Sequence, residues 1–330
     1  MSNVTDLQRK PYRVGLLLVP NFSMLAFASA IETMRMANRL SNTSLYEWCT
    51  ISVSDAAVAA SNGIAVSPGC TTADCQPQDA VFVCGGVDVE RAYEKAHLHW
   101  LRKIAQRKMV IGALCTGTYV LAKADLLDGY RCTIHWENMA SLREEFPRIV
   151  VSAELFEIDR NRYTCAGGTA ALDLFLNLIM HQHSKELAAN ISEQFICDRI
   201  RGQHDRQRVP LRLHLGTSQP KLIEAVSLME ANIEEPMSLD ELAQAVGVSR
   251  RQLERLFQKY LHCVPTRYYL ELRLARARQL LLQTSMSIVD VGFACGFVSA
   301  PHFSKCYRDY FGVPPREERN RRPGSGSQAI

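Results

Sequence analysis

No apolar run in this chain approaches the roughly 18 residues needed to cross a bilayer, and its opening, MSNVTDLQRKPYR, lacks the apolar core of a secretory signal. A membrane-spanning or exported protein is not expected, and the cytoplasm is the expected compartment. Cys-x-x-Cys pairs and Cys/His groups at zinc spacing are also missing, although the 330 residues include eleven cysteines. An odd number without paired spacing argues against a disulfide framework. Most of the cysteines are expected as small buried apolar residues in a reducing environment. His181 and His183, on either side of Gln182, have no Cys or carboxylate at ligand spacing, so neither a metal nor a cofactor is expected.

Net charge is modest, +4, but unevenly placed. From Leu242 onward 14 Lys and Arg stand against 6 Asp and Glu, and the rest of the chain is slightly acidic. Such an excess supplies sequence-independent attraction to phosphate. It coincides with a repeat. Leu253, Leu256, Phe257 and Tyr260 fall at i, i+3, i+4 and i+7, an apolar helical stripe that turns Arg251, Glu254, Arg255 and Gln258 outward. Fifty positions later Phe303, Cys306, Tyr307 and Tyr310 repeat the stripe, with Pro301, Ser304, Lys305 and Arg308 outward.

A shorter helix and a glycine turn precede each stripe: Ser238 to Val246 with Gly247, and Ser287 to Cys295 with Gly296. Ser249 and Ser299 are expected N-caps, and Ser238 with Glu241 and Ser249 with Gln252 have capping-box spacing. Each unit reads as a helix-turn-helix whose second helix enters the major groove of double-stranded DNA. Between them, Tyr268 to Leu282 is a good helix former carrying Arg273, Arg276 and Arg278. One continuous helix there would hold two reading heads at a fixed spacing, suited to successive major grooves about 34 Å apart. Base contacts are expected from Arg251, Glu254 and Arg255, and from Ala300, Pro301, His302, Ser304 and Lys305 next to Ser299; Arg250 and Gln252 are expected at phosphate.

The runs MSLDELAQAVGVSRRQLERLF and SIVDVGFACGFVSAPHFSKCYRDYFGVPP resemble the DNA-binding domain of AraC-type transcriptional regulators, over about the last third of the chain. One departure from the repeat is Cys263, matched here to Gly312.

Upstream, Val14 to Val19 is an apolar run of strand length, suited to a sheet covered on both faces. Phe22 to Leu40 reads as a helix, followed by short strands at Ile51 to Val53, Ala80 to Val83 and Met109 to Ala113, with helical or turn-rich stretches such as Glu90 to Arg107 between them. A last strand is expected within Arg160 to Gly168, then helices from Ala170 to His181 and Ser184 to Ile200. The alternation predicts an open α/β sheet, flavodoxin-like, with ligands beyond the carboxyl ends of its strands. Gly85-Gly86 at one strand end would leave amides accessible to an anion. At another, Val110 to Thr118 has the small residues Ala113 and Gly117 around Cys115, as a nucleophile elbow with Cys in place of Ser requires. A thiol at a helix N-terminus would have its thiolate favoured. His135 follows a further expected strand, where it could approach Cys115.

The stretch CTGTYVLAKADLLDGYRCTIHW, from Cys115 to Trp136, is similar to class I glutamine amidotransferase-like domains of the DJ-1/PfpI branch. That resemblance places Cys115 on the branch's reactive cysteine and His135 on its frequent histidine. It also places the branch's usual carboxylate near Leu25, which is apolar, with Glu32 two helical turns further on. A ligand-pocket role for Cys115 is preferred over catalysis. The competing readings are a cysteine-dependent hydrolase or amidase and a Cys115 redox sensor, each fused to a DNA-binding domain.

The order of the two domains resembles the GlxA-type group of regulators, which includes sensors of arginine, glycine betaine and carnitine. The resemblance implies a transcriptional regulator, expected as an activator and homodimer that meets RNA polymerase, controlled by a small nitrogenous effector. Its carboxylate would lie on the amides of Gly85, Gly86, Cys115 and Thr116, and its cation near Glu32 or Trp136, with His135 beside them. The expected organisation is a sensing domain over 10–198, a solvated basic linker over 199–219, an all-α domain with two helix-turn-helix units over 220–322 and a disordered tail over 323–330.

Overall fold

The computed structural model describes residues 10–205, 207 and 219–320. The chain divides into two compact units, Met1–Gln207 and Arg208–Ile330. In the first, chain order is β1 (Tyr12–Leu18), α1 (Met24–Ser41), β2 (Tyr46–Ser52), a short ribbon of β3 (Val58–Ala59) and β4 (Ala65–Val66), β5 (Cys70–Thr71) and β6 (Ala80–Cys84). Then come α2 (Val89–Ala92), α3 (Lys95–Ala105), β7 (Val110–Leu114), α4 (Gly117–Lys123), β8 (Arg131–Cys132), α5 (Met139–Glu145), β9 (Val150–Val151), β10 (Phe156–Asp159), β11 (Arg162–Cys165), α6 (Ala170–Gln182) and α7 (Lys185–Gln194).

Seven strands form one sheet in the order β10-β11-β7-β6-β1-β2-β5, parallel except for the antiparallel edge pair β10–β11. The apolar runs of β1, β6 and β7 supply both faces. Leu16, Leu18, Phe82 and Leu114 enter the core under α1 and α6, while Leu17, Val81, Val83 and Ile111 enter the core on the other face, which includes Leu101 and Ile104 of α3 and Val120 and Leu121 of α4. Burial on both faces is why these strands read as uninterrupted hydrophobic sequence.

The expected strand at Ile51 to Val53 begins earlier, at Tyr46, because this strand is only partly covered and carries Glu47 and Thr50 among its apolar residues. The stretch from Glu90 to Arg107 is two helices, and Glu94 and His97 form a reciprocal cap at the start of the second. The helix expected to reach Ile200 ends at Gln194, and Ile196 follows in the left-handed region at φ 55°.

The segment after it is not a free linker at its beginning. Arg201 donates to Asp173 at 2.6 and 2.9 Å and to Thr169 at 2.7 Å, Gln203 donates to Glu157 at 2.8 Å, and Gln207 donates to Thr133 at 2.8 Å and Glu154 at 2.9 Å. Asp173 and Glu157 are buried, so these contacts neutralise or satisfy carboxylates that burial would otherwise penalise. Residues 199–205 and 207 thus belong to the α/β unit; the rest of the expected linker before Gln219, and the tail, lie outside the described residues.

The elements of the second unit among the described residues are helices: α8 (Pro220–Ala231), α9 (Leu239–Ala245), α10 (Arg250–Leu261), α11 (Pro265–Gln283), α12 (Ile288–Ala294), α13 (Ala300–Phe311) and α14 (Pro315–Asn320). Leu253 and Phe257 of the first stripe, and Phe303 and Tyr307 of the second, are fully buried. Tyr310, expected within the stripe, is 45% exposed, since it lies beyond the two turns of α13 that meet the core.

Both 12-residue helices α10 and α13 end in a left-handed residue, His262 at φ 54° and Gly312 at φ 75°. The partner of Gly312 in the repeat is therefore His262, not Cys263. A side chain in that conformation costs about 1–2 kcal/mol, partly offset by glycine's greater freedom when unfolded. His262→Gly is expected to stabilise this unit by about 0.5–1 kcal/mol, measured by denaturant unfolding of the full chain; a loss of stability would show that the imidazole makes a contact outweighing its backbone.

Candidate functional site

In the first helix-turn-helix, formed by α9 and α10, the sequence-level caps are all made. Ser238 accepts from the Glu241 amide while the Glu241 carboxylate accepts from the Ser238 amide at 2.7 Å, and Ser249 and Gln252 repeat the arrangement at 3.3 and 2.8 Å. In the second, formed by α12 and α13, Ser287 caps α12 through the Asp290 amide at 3.1 Å, but Ser299 makes no side-chain cap. Pro301 stands in the first turn of α13 and has no N–H to offer, which removes one of the donors Ser299 would have met.

The spacer helix α11 is braced at both ends. Its Tyr269 hydroxyl meets the Asn232 carbonyl and accepts from the Met237 amide at 3.3 Å, tying it to the first unit. Arg273 donates to the Cys295 and Gly296 carbonyls at 2.8 and 2.7 Å and lies over the Phe297 ring at 4.2 Å. Arg278 donates to the buried Glu318 at 3.1 Å and lies over Phe311. Two arginines of the spacer thus grip the second helix-turn-helix. With 19 residues the helix is about 28 Å long, so the two reading heads are held by a rigid spacer.

Among the expected DNA contacts, Arg251, Arg255 and Lys305 are exposed and make no hydrogen bond or ion pair among the described residues. Glu254 is held by Arg250 at 3.1 Å, and Arg250 also lies 3.5 Å from Asp240. The Gln252 carbonyl oxygen is occupied by its cap. His302 packs edge-on against Phe297 and its Nε2 lies 3.4 Å from the Cys306 sulfur. Ala300, Ser304 and Ser299 are half-buried, and Pro301 is exposed. The cations free to leave the protein surface for a nucleic acid are therefore fewer than the sequence indicates, and they lie on both second helices.

In the α/β unit, β6, β7 and β11 end side by side, and Cys115 sits just beyond β7 at φ 58°. Its amide donates to the Cys165 carbonyl at 3.1 Å, and the Thr116 hydroxyl donates to the Gly86 carbonyl at 2.7 Å, so neighbouring strands hold this strained turn in place. A Cβ on Gly117 would stand 2.1 Å from the Val83 carbonyl, and one on Gly167 2.7 Å from the Cys115 sulfur. Only glycine lets the chain close around the thiol.

That closure reverses the expected electrostatics. Cys115 is 8% exposed, and burial pushes its thiol up to about 11, outweighing the Thr116 amide that favours the thiolate. Burial also lowers the pKa of His135, only partly opposed by Glu137, whose carboxylate is 3.6 Å from His135 Nδ1. No hydrogen bond joins Cys115 to His135 among the described residues. Glu137, which sequence reasoning missed, is the acid beside this histidine, and its charge also raises the Cys115 pKa.

The expected effector cradle is altered too. The Gly85 amide donates to the Leu114 carbonyl at 3.2 Å, and the Cys115 amide is likewise committed, so neither is open to a carboxylate. Leu25, 56% exposed, occupies the position near Gly168 where the resemblance places a carboxylate. Glu32 lies seven residues further along α1, roughly 10 Å, and is clamped to Arg35 at 2.6 Å. Glu32 is thus engaged within its own helix. His135 and Trp136 remain together, with ring centroids 5.6 Å apart.

A grouping of another kind lies at the opposite part of the sheet. Cys49 of β2, Cys70 of β5 and Cys75 in the turn after it bring their sulfurs within 4.8 Å of one another, where no metal-ligand spacing is visible in sequence.

The DJ-1/PfpI family matches residues 22–181, and a helix-turn-helix domain family matches residues 242–321. The chain is 56% identical over 320 residues to the HTH-type transcriptional regulator GbdR of Pseudomonas aeruginosa, covering 97% of this chain and 87% of that one. It is 35% identical to the HTH-type transcriptional regulator GlxA of Rhizobium meliloti, over 96% of this chain and 98% of the relative. Of solved structures, an AraC family transcriptional regulator from Pseudomonas putida is 30% identical with a TM-score of 0.53, covering 56% of this chain and all of that one.

Proposed function

Since this chain belongs to the HTH-type transcriptional regulators that join a DJ-1/PfpI domain to an AraC-type DNA-binding domain, we propose that its α/β unit is a sensor for a small nitrogenous metabolite, of the arginine or betaine kind. Binding controls how the two helix-turn-helix units meet an operator, at which the protein acts as an activator, as a homodimer engaging RNA polymerase. Two helix-turn-helix units on one braced spacer, with Arg251 and Arg255 on one and Lys305 on the other, suit successive major grooves. The metabolite must bind one arrangement of the protein more tightly than the other, or it shifts nothing.

The observation that carries the sensor reading over a hydrolase is the state of Cys115. Cysteine hydrolysis needs a thiolate and a base within hydrogen-bond reach. Here burial pushes the Cys115 thiol up to about 11, and no hydrogen bond joins it to His135 among the described residues. Cys115, Thr116, His135 and Trp136 then serve as a surface for the ligand, in which the Trp136 ring and the Glu137 carboxylate take the cationic end in place of Glu32.

The test is thermal unfolding of the full chain against L-arginine, glycine betaine, carnitine and related amines. A ligand at a hundred times its Kd adds about 2.7 kcal/mol to the stability of the form it binds. One of these compounds is expected to raise the melting temperature and to be recovered intact, and Glu137→Gln to weaken it about tenfold. A panel with no effect contradicts the sensor, and a compound consumed in a Cys115-dependent way establishes the hydrolase.

A further inference from the structure

We propose that Cys49, Cys70 and Cys75 form a binding site for a thiophilic d10 cation of the zinc(II) or copper(I) kind, independent of the elbow and of the metabolite reading. The three side chains come from different elements. Cys49 lies on β2 and Cys70 on the edge strand β5, whose parallel pairing sets Cys70 opposite Ile51. Cys75 is brought back by a tight turn in which its amide donates to the Thr71 carbonyl at 3.0 Å while the Asp74 carboxylate accepts from the Thr71 amide at 2.6 Å.

Metal–thiolate bonds of about 2.3 Å place three ligating sulfurs roughly 4 Å apart. The observed sulfurs, all within 4.8 Å, need to close by less than about 1 Å. Soft sulfur ligands select zinc and copper(I) over magnesium or calcium. Among the described residues the group offers three ligands, which leaves a fourth position to water on zinc or makes a trigonal site for copper(I).

The three cysteines pack against the core on one side but are more open than the cysteines inside it. Cysteines used here as apolar filling, Cys84, Cys132, Cys165 and Cys295, are at most 1% exposed. Cys49, Cys70 and Cys75 are instead half-buried. Cys49 and Cys70 line a groove of about 280 Å³ whose walls include Arg13, Glu47 and Asp74.

Hydrogen bonding from the Cys49 thiol, and then from Cys70 and Gln78, outweighs burial and draws Cys75 down to about 6, whereas Cys70 is pushed up to about 11 and Cys49 is raised further. Metal entry forms three metal–sulfur bonds and releases the protons of the ligating thiols to solvent, with no change of oxidation state.

The experiment uses the full chain, reduced and stripped of metal by a chelator under argon, then mixed with Zn²⁺ and desalted. The expected result is one zinc retained per chain, three thiols shielded from a colorimetric thiol reagent, and a sulfur-to-metal charge-transfer band when Cd²⁺ replaces Zn²⁺. Cys75→Ser and Cys49→Ser are each expected to lose retention and the band while keeping the metal-free melting temperature within a few degrees. A variant that unfolds is replaced by Cys70→Ser, whose side chain lies at the sheet edge. Wild-type protein that holds no zinc, or serine variants that hold it as tightly as wild type, would overturn the proposal.

Discussion

Replacing Arg255 by Ala is expected to weaken binding to the chain's own operator by about 1–3 kcal/mol, roughly 5- to 150-fold, and to relax the preference at one base position. Arg255 is exposed on α10 and is engaged by no carboxylate among the described residues, so its guanidinium is free to donate bidentately to guanine. Its neighbours differ. Glu254 must first leave Arg250 to accept from a base, and Gln252 is committed to the helix cap. Alanine at 254 is therefore expected to cost less in discrimination than alanine at 255. A selection from randomised DNA separates the cases: a base contact alters one column of the selected sites, while a phosphate contact weakens all sequences alike and lowers the salt dependence by about one unit. An Arg255→Ala protein that retains full discrimination would remove Arg255 from base reading.

At pH 7, iodoacetamide is expected to label Cys75 on the order of 100-fold faster than Cys115, although the sequence points to Cys115 as the reactive thiol. With one thiol near 6 and the other near 11, thiolate populations differ by about four powers of ten. The lower intrinsic nucleophilicity of the more acidic thiolate returns about two of these. The pH dependence gives the sign separately. Folding favours the protonated form of Cys115, so its labelling rises about tenfold per unit toward pH 11, while folded-state stability from this group falls as pH rises from the unfolded value through 11. Cys75, drawn down to about 6, is expected to label at a rate nearly flat above pH 7. Mass-resolved labelling that finds Cys115 first at pH 7 would contradict the buried-thiol reading and return weight to a catalytic or redox role.

These contrasts mark what sequence carries. The two helix-turn-helix units were legible because their signals are local: stripes at i, i+3, i+4 and i+7, and caps acting over three residues. The strands through Leu17, Val81 and Ile111 were legible because burial on both faces leaves no polar positions. Tyr46–Ser52 was not, since partial exposure breaks the run.

The elbow followed from small residues around Cys115, but its electrostatics did not. The glycines that permit the turn also close the site, and only the packed structure shows burial outweighing the helix end. Gln203 and Gln207 looked solvated because their partners lie 46 and up to 74 positions away. The same holds for the three sulfurs, which strand pairing brings together from three separate stretches. His262 was missed as the counterpart of Gly312 because a glycine was sought where the backbone had accepted a histidine.

The central claim is that one chain reads two successive major grooves with two second helices held by a braced spacer. Its most direct test is a hydroxyl-radical footprint of the full-length protein on its operator, compared with Arg255→Ala and Lys305→Ala. The expected pattern is two protected tracts about one helical turn apart, with Arg255→Ala fading one and Lys305→Ala the other. A single protected tract weakened equally by both substitutions would contradict it.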